Sequence, residues 1–150
     1  MTTEARATDG TSTIQILVPI DGSEFSLNAA KYAIKITKDE NAQIICIHVI
    51  STIALGYAPP EYREDVKKKV ESWFNTIKDI ARSSASPEIK TQIFMDVKSV
   101  VECIIDYAAT ENIDLIVMGT RGRTGLKKFL VGSVANDLVR HAHCSILLVR

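Results

Sequence analysis

Short runs of almost uninterrupted apolar residues recur along this chain and alternate with segments of helical spacing. The clearest run is I-I-C-I-H-V-I at residues 44–50, in which a histidine is the one polar residue. Continuous apolar runs of this length are typical of strands that helices cover on both faces. Because parallel strands need crossover connections, the alternation restricts the chain to an α/β architecture.

The pattern predicts five strands with helices between them. The predicted strands are residues 14–20, 44–50, 89–95, 114–118 and 146–149. The predicted helices begin near residues 24, 62, 100 and 133, and a looser stretch at residues 51–61 precedes the second of them. We therefore expect an open, doubly wound α/β fold, a five-stranded parallel sheet with helices on both faces. Some alternation in the third strand suits a sheet edge.

The bulk properties indicate one soluble domain, expected at residues 14–150. Residues 1–13 are polar and lack the apolar core of a secretory signal, so a disordered tail is expected. The formal net charge of zero argues against nucleic acid as a partner. No apolar run approaches the roughly 18 residues that span a bilayer, so no membrane contact and a cytoplasmic location are expected. The three cysteines lack metal or redox spacing.

Two motifs follow predicted strands, at the edge of the sheet where such folds bind ligands. Asp21-Gly22-Ser23 follows the first strand, and Ser23 is a natural helix cap. A glycine-rich segment follows the fourth strand and reads M-G-T-R-G-R-T-G-L-K-K-F-L-V-G-S-V from residue 118 to residue 134. If the two strands are neighbours, both motifs face one crevice.

The glycine-rich segment has the chemistry of a phosphate cradle. Four cations and no acid lie between residues 115 and 136. Glycine lets backbone N–H groups approach an anion closely, and a helix N-terminus beginning at Ser133 adds donors and a favourable dipole. The segment matches neither the dinucleotide fingerprint G-x-G-x-x-G nor the Walker A loop, and it contains no G-x-S-x-G nucleophile elbow.

The spacing Gly119-x2-Gly122-x9-Gly132-Ser133 closely resembles the nucleotide-binding signature of ATP-binding universal stress proteins. The opening V-P-I-D-G-S, the strand I-I-C-I-H-V-I, the segment D-L-I-V-M-G-T-R-G and the ending H-C-S-I-L-L-V-R resemble the same family, in the same order. The resemblance covers residues 14–150. It implies a strand order of 3-2-1-4-5 and ATP lying across the first and fourth strands.

The resemblance also implies a role for each part of the site. Adenine would lie near Pro19 and Ile20 and be read by backbone groups at Ile44. Asp21 would approach the ribose or, indirectly, a Mg²⁺ or Mn²⁺ ion bound to the nucleotide. The glycine loop would wrap the ribose and phosphates, and the start of the last helix would meet the phosphates. The loop and helix residues are Met118, Gly119, Thr120, Arg121, Gly122, Arg123, Thr124, Gly125, Gly132, Ser133, Val134 and Ala135.

The chain departs from the family pattern at two places. Many relatives have a Glu-Gly pair after the third strand, where this chain reads Asp96-Val97-Lys98, so the floor of the site is expected to differ. Many relatives also have proline after the last cysteine, where this chain has Ser145.

Other polar residues have simpler interpretations. His48 lies in a strand without a second ligand at useful spacing, so we expect a histidine with one hydrogen bond. The sequence His141-x-His143-Cys144 offers too few ligands for zinc. Trp73 and Phe74 are expected in the core or in an interface.

Three hypotheses of function follow from the sequence. The first is an ATP-binding stress-response regulatory module, in which nucleotide occupancy switches conformation or partner binding. The second is a slow ATPase or an autophosphorylating protein that uses the same site, although no residue stands out as a general base. The third is a non-nucleotide dimeric scaffold. The last strand, from Ile146 to Val149, is short and apolar and is expected to pair with its copy in a homodimer.

Overall fold

The computed structural model describes residues 12–38, 41–96, 98–122 and 130–150, and only the backbone of Ala54. Strands and helices alternate along these residues, as predicted. The elements are β1 (Ile14–Pro19), α1 (Glu24–Ile36), β2 (Ala42–Ser51), α2 (Thr52–Leu55), α3 (Pro60–Ser83), β3 (Ile89–Asp96), α4 (Val100–Thr110), β4 (Leu115–Gly119), α5 (Ser133–His141) and β5 (Ser145–Val149).

The strands form one parallel sheet in the order β3-β2-β1-β4-β5. Fold class and strand order are therefore confirmed. From β1 the chain builds outward through β2 to β3, and it then returns to place β4 on the other side of β1. The direction of winding reverses between β1 and β4, and the carboxyl ends of these strands are the expected location of a ligand.

Two apolar layers cover the two faces of the sheet. On one face, α1 and α3 pack through residues such as Ala30 and Phe74 against Val18 and Cys46. On the other face, α4 and α5 pack against Leu17, Ile47 and their neighbours. The central strands are buried from both sides, which explains their continuous apolar sequence. Burial raises the pKa of the Cys46 thiol to about 12, so this cysteine is an inert part of the core.

Serine caps fix the starts of two helices near the carboxyl edge of the sheet. Ser23 Oγ accepts a hydrogen bond of 3.1 Å from the Ser26 N–H at the start of α1. Ser99 Oγ accepts one of 3.2 Å from the Glu102 N–H, and the Glu102 carboxylate accepts one of 3.0 Å from the Ser99 N–H. This capping box determines where α4 begins.

The structure differs from the sequence prediction in the stretch after β2. Residues 52–55 form a short helix, α2, where a loop was predicted. The Gly56 N–H donates to the carbonyl of Thr52 at 3.1 Å, and Gly56 has a φ of +49°, which ends the helix in the left-handed conformation. A helix of one turn is too short to produce a periodic pattern.

Three regions of the sequence prediction lie wholly or mainly outside the described residues. They are the predicted tail except for Ser12 and Thr13, the substituted position Val97, and residues 123–129 of the glycine loop. Within the described part of the chain, every helix is too short or too polar to cross a membrane.

Candidate functional site

A cavity of about 350 Å³ opens at the carboxyl ends of β1, β2 and β4. It lies at the reversal of the sheet winding, where a ligand was predicted. Most of the site residues predicted from the sequence line this cavity. They are Pro19, Ile20, Asp21, Met118, Gly119, Thr120, Arg121, Gly122, Gly132, Ser133, Val134 and Ala135.

One predicted residue, Ile44, lies elsewhere. Ile44 is fully buried in the core and pairs with Ile16, so it sits three residues before Ile47, which pairs with Pro19 at the cavity. The placement of Ile44 in the site is corrected accordingly. Three further predicted residues, Arg123, Thr124 and Gly125, lie outside the described residues.

Six residues of the lining are not among those predicted from the sequence. They are Ser26, Ile47, His48, Val49, Val100 and Ile104. The three from β2 could have been found from topology, since β2 neighbours β1 and its carboxyl end must reach the same edge. The two from α4 lie four residues apart and therefore share one face of that helix.

A tight turn holds Asp21 at the cavity wall. Asp21 Oδ1 accepts a hydrogen bond of 2.9 Å from the Ser23 N–H. Ser26 Oγ donates to the Ser23 carbonyl at 2.9 Å, and Gly22 adopts a φ of +81°. The carboxylate is thus fixed by its own turn, a geometry that asparagine and aspartate favour.

Two aromatic residues lie behind this turn. His48 Nδ1 and the carbonyl oxygen of Ile20 are 2.5 Å apart, so Nδ1 carries the proton and donates it. The ring of Trp73 meets the ring of His48 edge to face, with centroids 5.4 Å apart. His48 thus makes a hydrogen bond, as expected, and Trp73 is half-buried beside it.

The first residues of the glycine loop pack against α1. A Cβ atom on Gly119 would stand 2.7 to 2.9 Å from side-chain and backbone atoms of Phe25, so only glycine fits. The Arg121 guanidinium carbon lies 5.6 Å from the centroid of the Phe25 ring, within the range of a cation–π interaction. This contact keeps a positive charge at the cavity.

Two backbone hydrogen bonds fasten the base of the glycine loop. The Thr120 N–H donates to the Val149 carbonyl at 2.9 Å, and the Gly132 N–H donates to the Thr120 carbonyl at 2.7 Å. Gly132 therefore returns the chain to the point where the loop leaves β4. This return places the start of α5 against the cavity.

The start of α5 lacks the side-chain cap that α1 and α4 possess. Its N-cap residue is Gly132, which has no side chain to accept from the first helical amides. Ser133, Val134 and Ala135 form the first turn and line the cavity. Amides at a helix N-terminus, together with the helix dipole, attract an anion.

Asp21 is the one carboxylate among the described residues that line the cavity. No group of three histidine, cysteine, aspartate or glutamate residues in the described ranges could hold a metal ion. A divalent ion at this site would therefore need most of its ligands from a bound molecule and from water.

The chain resembles known proteins over nearly its full length. A universal stress protein from Methanocaldococcus jannaschii is 35% identical over 141 residues, which cover 91% of this chain and 81% of that protein. The solved structure of universal stress protein UspA from Lactobacillus plantarum has 26% identity and a TM-score of 0.80. That likeness covers 93% of this chain and 100% of the solved one.

Two other solved structures of this fold are complexes. One is a universal stress protein with cAMP, at 21% identity and a TM-score of 0.68, covering 93% of this chain and 98% of its own. The other is the universal stress protein from Archaeoglobus fulgidus with dAMP, at 17% identity and a TM-score of 0.68, with the same coverage. At these identities the likeness shows the fold.

The sequence model of the universal stress protein family matches residues 14–150, the whole of the sheet and its helices. The match, the relative from Methanocaldococcus jannaschii and the strand order agree, and the chain belongs to the universal stress protein family.

Proposed function

We propose that this protein is a stress-response regulatory module that binds an adenine nucleotide, ATP above all, in the cavity between β1 and β4. Occupancy of the site would change its conformation or its partners. The observation that carries the proposal is the two-part lining of the cavity, apolar toward β2 and α4 and rich in glycine, hydroxyl and amide groups toward β4 and α5. A ligand with a flat ring at one end and phosphates at the other matches both parts.

The apolar part suits a nucleobase. Ile47, Val49, Val100 and Ile104 come together there from β2 and α4, beside the ring of Pro19. The faces of a purine are apolar, while its edge seeks hydrogen bonds. We propose that backbone groups at the carboxyl end of β2 read that edge, in the place first given to Ile44.

The polar part suits phosphates. Gly119, Gly122 and Gly132 bring the backbone to the cavity surface without intervening side chains, and the first turn of α5 points its amides at the same space. Arg121 adds a positive charge. Mg²⁺ or Mn²⁺ would arrive with the nucleotide, and Asp21 would supply a carboxylate beside it.

Relatives of the same fold support an adenine nucleotide as the ligand. The solved complexes with cAMP and with dAMP both contain adenine and a phosphate. The glycine spacing resembles that of ATP-binding members of the family, which favours ATP over these smaller molecules.

A second candidate function uses the same cavity. The hydroxyl-bearing residues Thr120 and Ser133 line it together with Asp21, an arrangement that favours slow ATP hydrolysis or autophosphorylation. We place it second, because Asp21 is already engaged in its own turn and no histidine–carboxylate pair activates either hydroxyl among the described residues.

The experiment is a calorimetric titration of nucleotide-stripped protein with ATP and Mg²⁺, with ADP followed in the same sample. We expect a roughly micromolar dissociation constant, about −8 kcal/mol, with little ADP over hours. Steady ADP formation that Asp21→Asn abolishes would favour the enzyme. Failure to bind any adenine nucleotide would contradict both and leave the dimeric scaffold.

A matched pair of valine variants ties binding to the cavity. Gly122→Val adds a side chain whose Cβ would stand 2.8 Å from Asp21 Oδ2, so it intrudes between the turn and the loop. Lys90→Val places the same side chain on exposed β3, away from the cavity. We expect the first variant to lose ATP binding and the second to retain it.

A further inference from the structure

Two aromatic rings, those of His48 and Trp73, pack behind the turn that carries Asp21. Neither residue belongs to the glycine-rich segment. His48 donates through Nδ1 to the carbonyl of Ile20, the residue before Asp21. Trp73, from α3, packs edge to face on the His48 ring with an interplanar angle of 80°. The imidazole therefore links the turn to helix α3.

Trp73 also contacts the residue after Asp21. A Cβ atom on Gly22 would stand 2.2 Å from Cζ2 of the indole and 2.5 Å from Cε2. With a φ of +81°, Gly22 is already in a conformation that favours glycine. The indole thus fills the space that any other residue at this position would need.

Asp21 lies between these two fixed neighbours. One of its carboxylate oxygens accepts from the Ser23 N–H, and the other faces Gly122, the last described residue before the gap in the glycine loop. A shift of the turn would therefore alter the separation between the Asp21 carboxylate and the loop. The aromatic pair sets that separation from the opposite side of the turn.

A second cavity gives the indole room to move. It has a volume of about 210 Å³, lies between α1 and α3, and is bordered by Gly22, Ser23, Trp73 and Thr76. A displacement of the turn can therefore move the indole of Trp73 within the space between α1 and α3.

From these contacts we infer that Trp73 is a positioning residue for the nucleotide site, acting through the Asp21 turn, and that occupancy is in turn communicated to helix α3. This inference rests on the proposed function. It gives the signal a route to the α1–α3 face of the sheet, opposite the face that α5 covers.

The chain contains a single tryptophan, so its fluorescence reports on this contact directly. We expect the emission of the full-length, nucleotide-stripped protein to change on addition of ATP and Mg²⁺, with the same midpoint as the calorimetric titration. A merely structural tryptophan would not respond. An unchanged emission at saturating ATP would overturn communication to α3.

Variants separate positioning from stability. Trp73→Leu should weaken ATP binding about tenfold, and Trp73→Phe, which keeps an aromatic edge against His48, should recover most of the loss. Phe74→Leu is the matched control, because Phe74 is the next residue of α3 and is 4% exposed in the core. It should lower the melting temperature yet leave the affinity within about twofold of the wild-type value.

A double-variant comparison completes the test. In an Asp21→Asn background, Trp73→Leu should change the affinity less than about twofold, because its effect passes through the carboxylate. Equal losses in both backgrounds, or an equal loss in Phe74→Leu, would overturn the positioning role while the proposed function stands. A wild-type protein that binds no adenine nucleotide would overturn both.

Discussion

At the scale of single residues, glycines around the cavity are required by close packing. Gly22 fits under the indole of Trp73, and Gly119 fits against α1 at Phe25. The sequence pattern predicted that Gly119 is part of a phosphate loop. The structure adds a second reason for it, which is the approach of α1 to the end of β4.

The first prediction concerns Gly119→Ala. Its new methyl group would stand 2.8 Å from the carbonyl carbon and 2.9 Å from the carbonyl oxygen of Phe25, so backbone must move. We expect a loss of about 2 kcal/mol in the free energy of unfolding, measured by urea denaturation.

Gly132→Ala is the control for this prediction. Its methyl group would lie 3.4 Å from the nearest atom, the Thr120 carbonyl oxygen, which is ordinary contact. The control should lose less than about 1 kcal/mol, the usual scale of an N-cap change. Equal losses in the two variants would contradict the packing argument.

At the scale of elements, the sequence predicted the strands and main helices well. Strands that are buried on both faces have continuous apolar sequences, and the helices between them have apolar residues at helical spacing. The sequence predicted the β4 and α5 side of the cavity, where we propose that phosphates bind, because that side is built from local residues, a loop and the helix that follows. It placed Ile44 of β2 at the proposed base side, whereas Ile47, His48 and Val49 line the cavity, because strand register is not encoded locally. Topology places the carboxyl end of β2 at the cavity, and the pairing of Pro19 with Ile47 then gives the residue at which β2 reaches it.

The second prediction concerns the uncapped start of α5. Gly132→Asp supplies a carboxylate that accepts from the first helical amides and favours the helix dipole, so stability should be kept or rise by a few tenths of a kcal/mol. The same carboxylate competes with a phosphate group, so ATP affinity should fall at least tenfold by calorimetry. A loss of stability together with affinity would point to misfolding instead.

The third prediction concerns the capping box of α4. Two hydrogen bonds from Ser99 lower the pKa of the Glu102 carboxyl. The larger effect comes from the Ser99 backbone N–H and the smaller one from the Ser99 side chain. A lowered folded-state pKa stabilises the fold above the unfolded pKa, and this contribution is lost as the pH falls through the folded value.

Glu102→Gln keeps an acceptor but does not titrate. On acidification below pH about 4.3, the ordinary glutamate value, wild-type stability should therefore fall more steeply than that of the variant. Urea unfolding of both proteins across this range checks the difference, and carboxyl NMR of Glu102 checks its pKa. If the stabilities of the wild type and the variant fall in parallel with pH, the stabilising role of the Ser99–Glu102 capping box is contradicted.

At the scale of the whole molecule, the sheet ends in two edges of different character. β3 has alternating exposure, as its sequence predicted, whereas the side chains of β5 from Ile146 to Val149 are all half-buried and apolar. Exposed apolar residues also occur nearby in the chain, at Val131 and Val139. An apolar edge of this kind favours pairing with a second copy.

The fourth prediction tests that homodimer. The Val149 carbonyl accepts from the N–H of Thr120, the residue after β4. Leu147 and Val149 therefore direct their backbone groups toward β4, and the N–H of Leu148 faces outward. Leu148→Pro should therefore keep the fold but abolish the dimer in light scattering. Leu148→Val, which retains the N–H, should remain dimeric, and a dimeric proline variant would exclude pairing through β5.

The hydrogen bond between Gly132 and Thr120 also bears on which insertions the protein can accept during evolution. Because it closes the chain on itself next to β4, the residues between are attached to the domain through two fixed ends. Doubling the length between fixed ends costs only about 0.6 kcal/mol of chain entropy. Insertions there should be tolerated, so this segment is a place where new ligand preferences, or an inserted reporter domain, can be introduced without rebuilding the sheet.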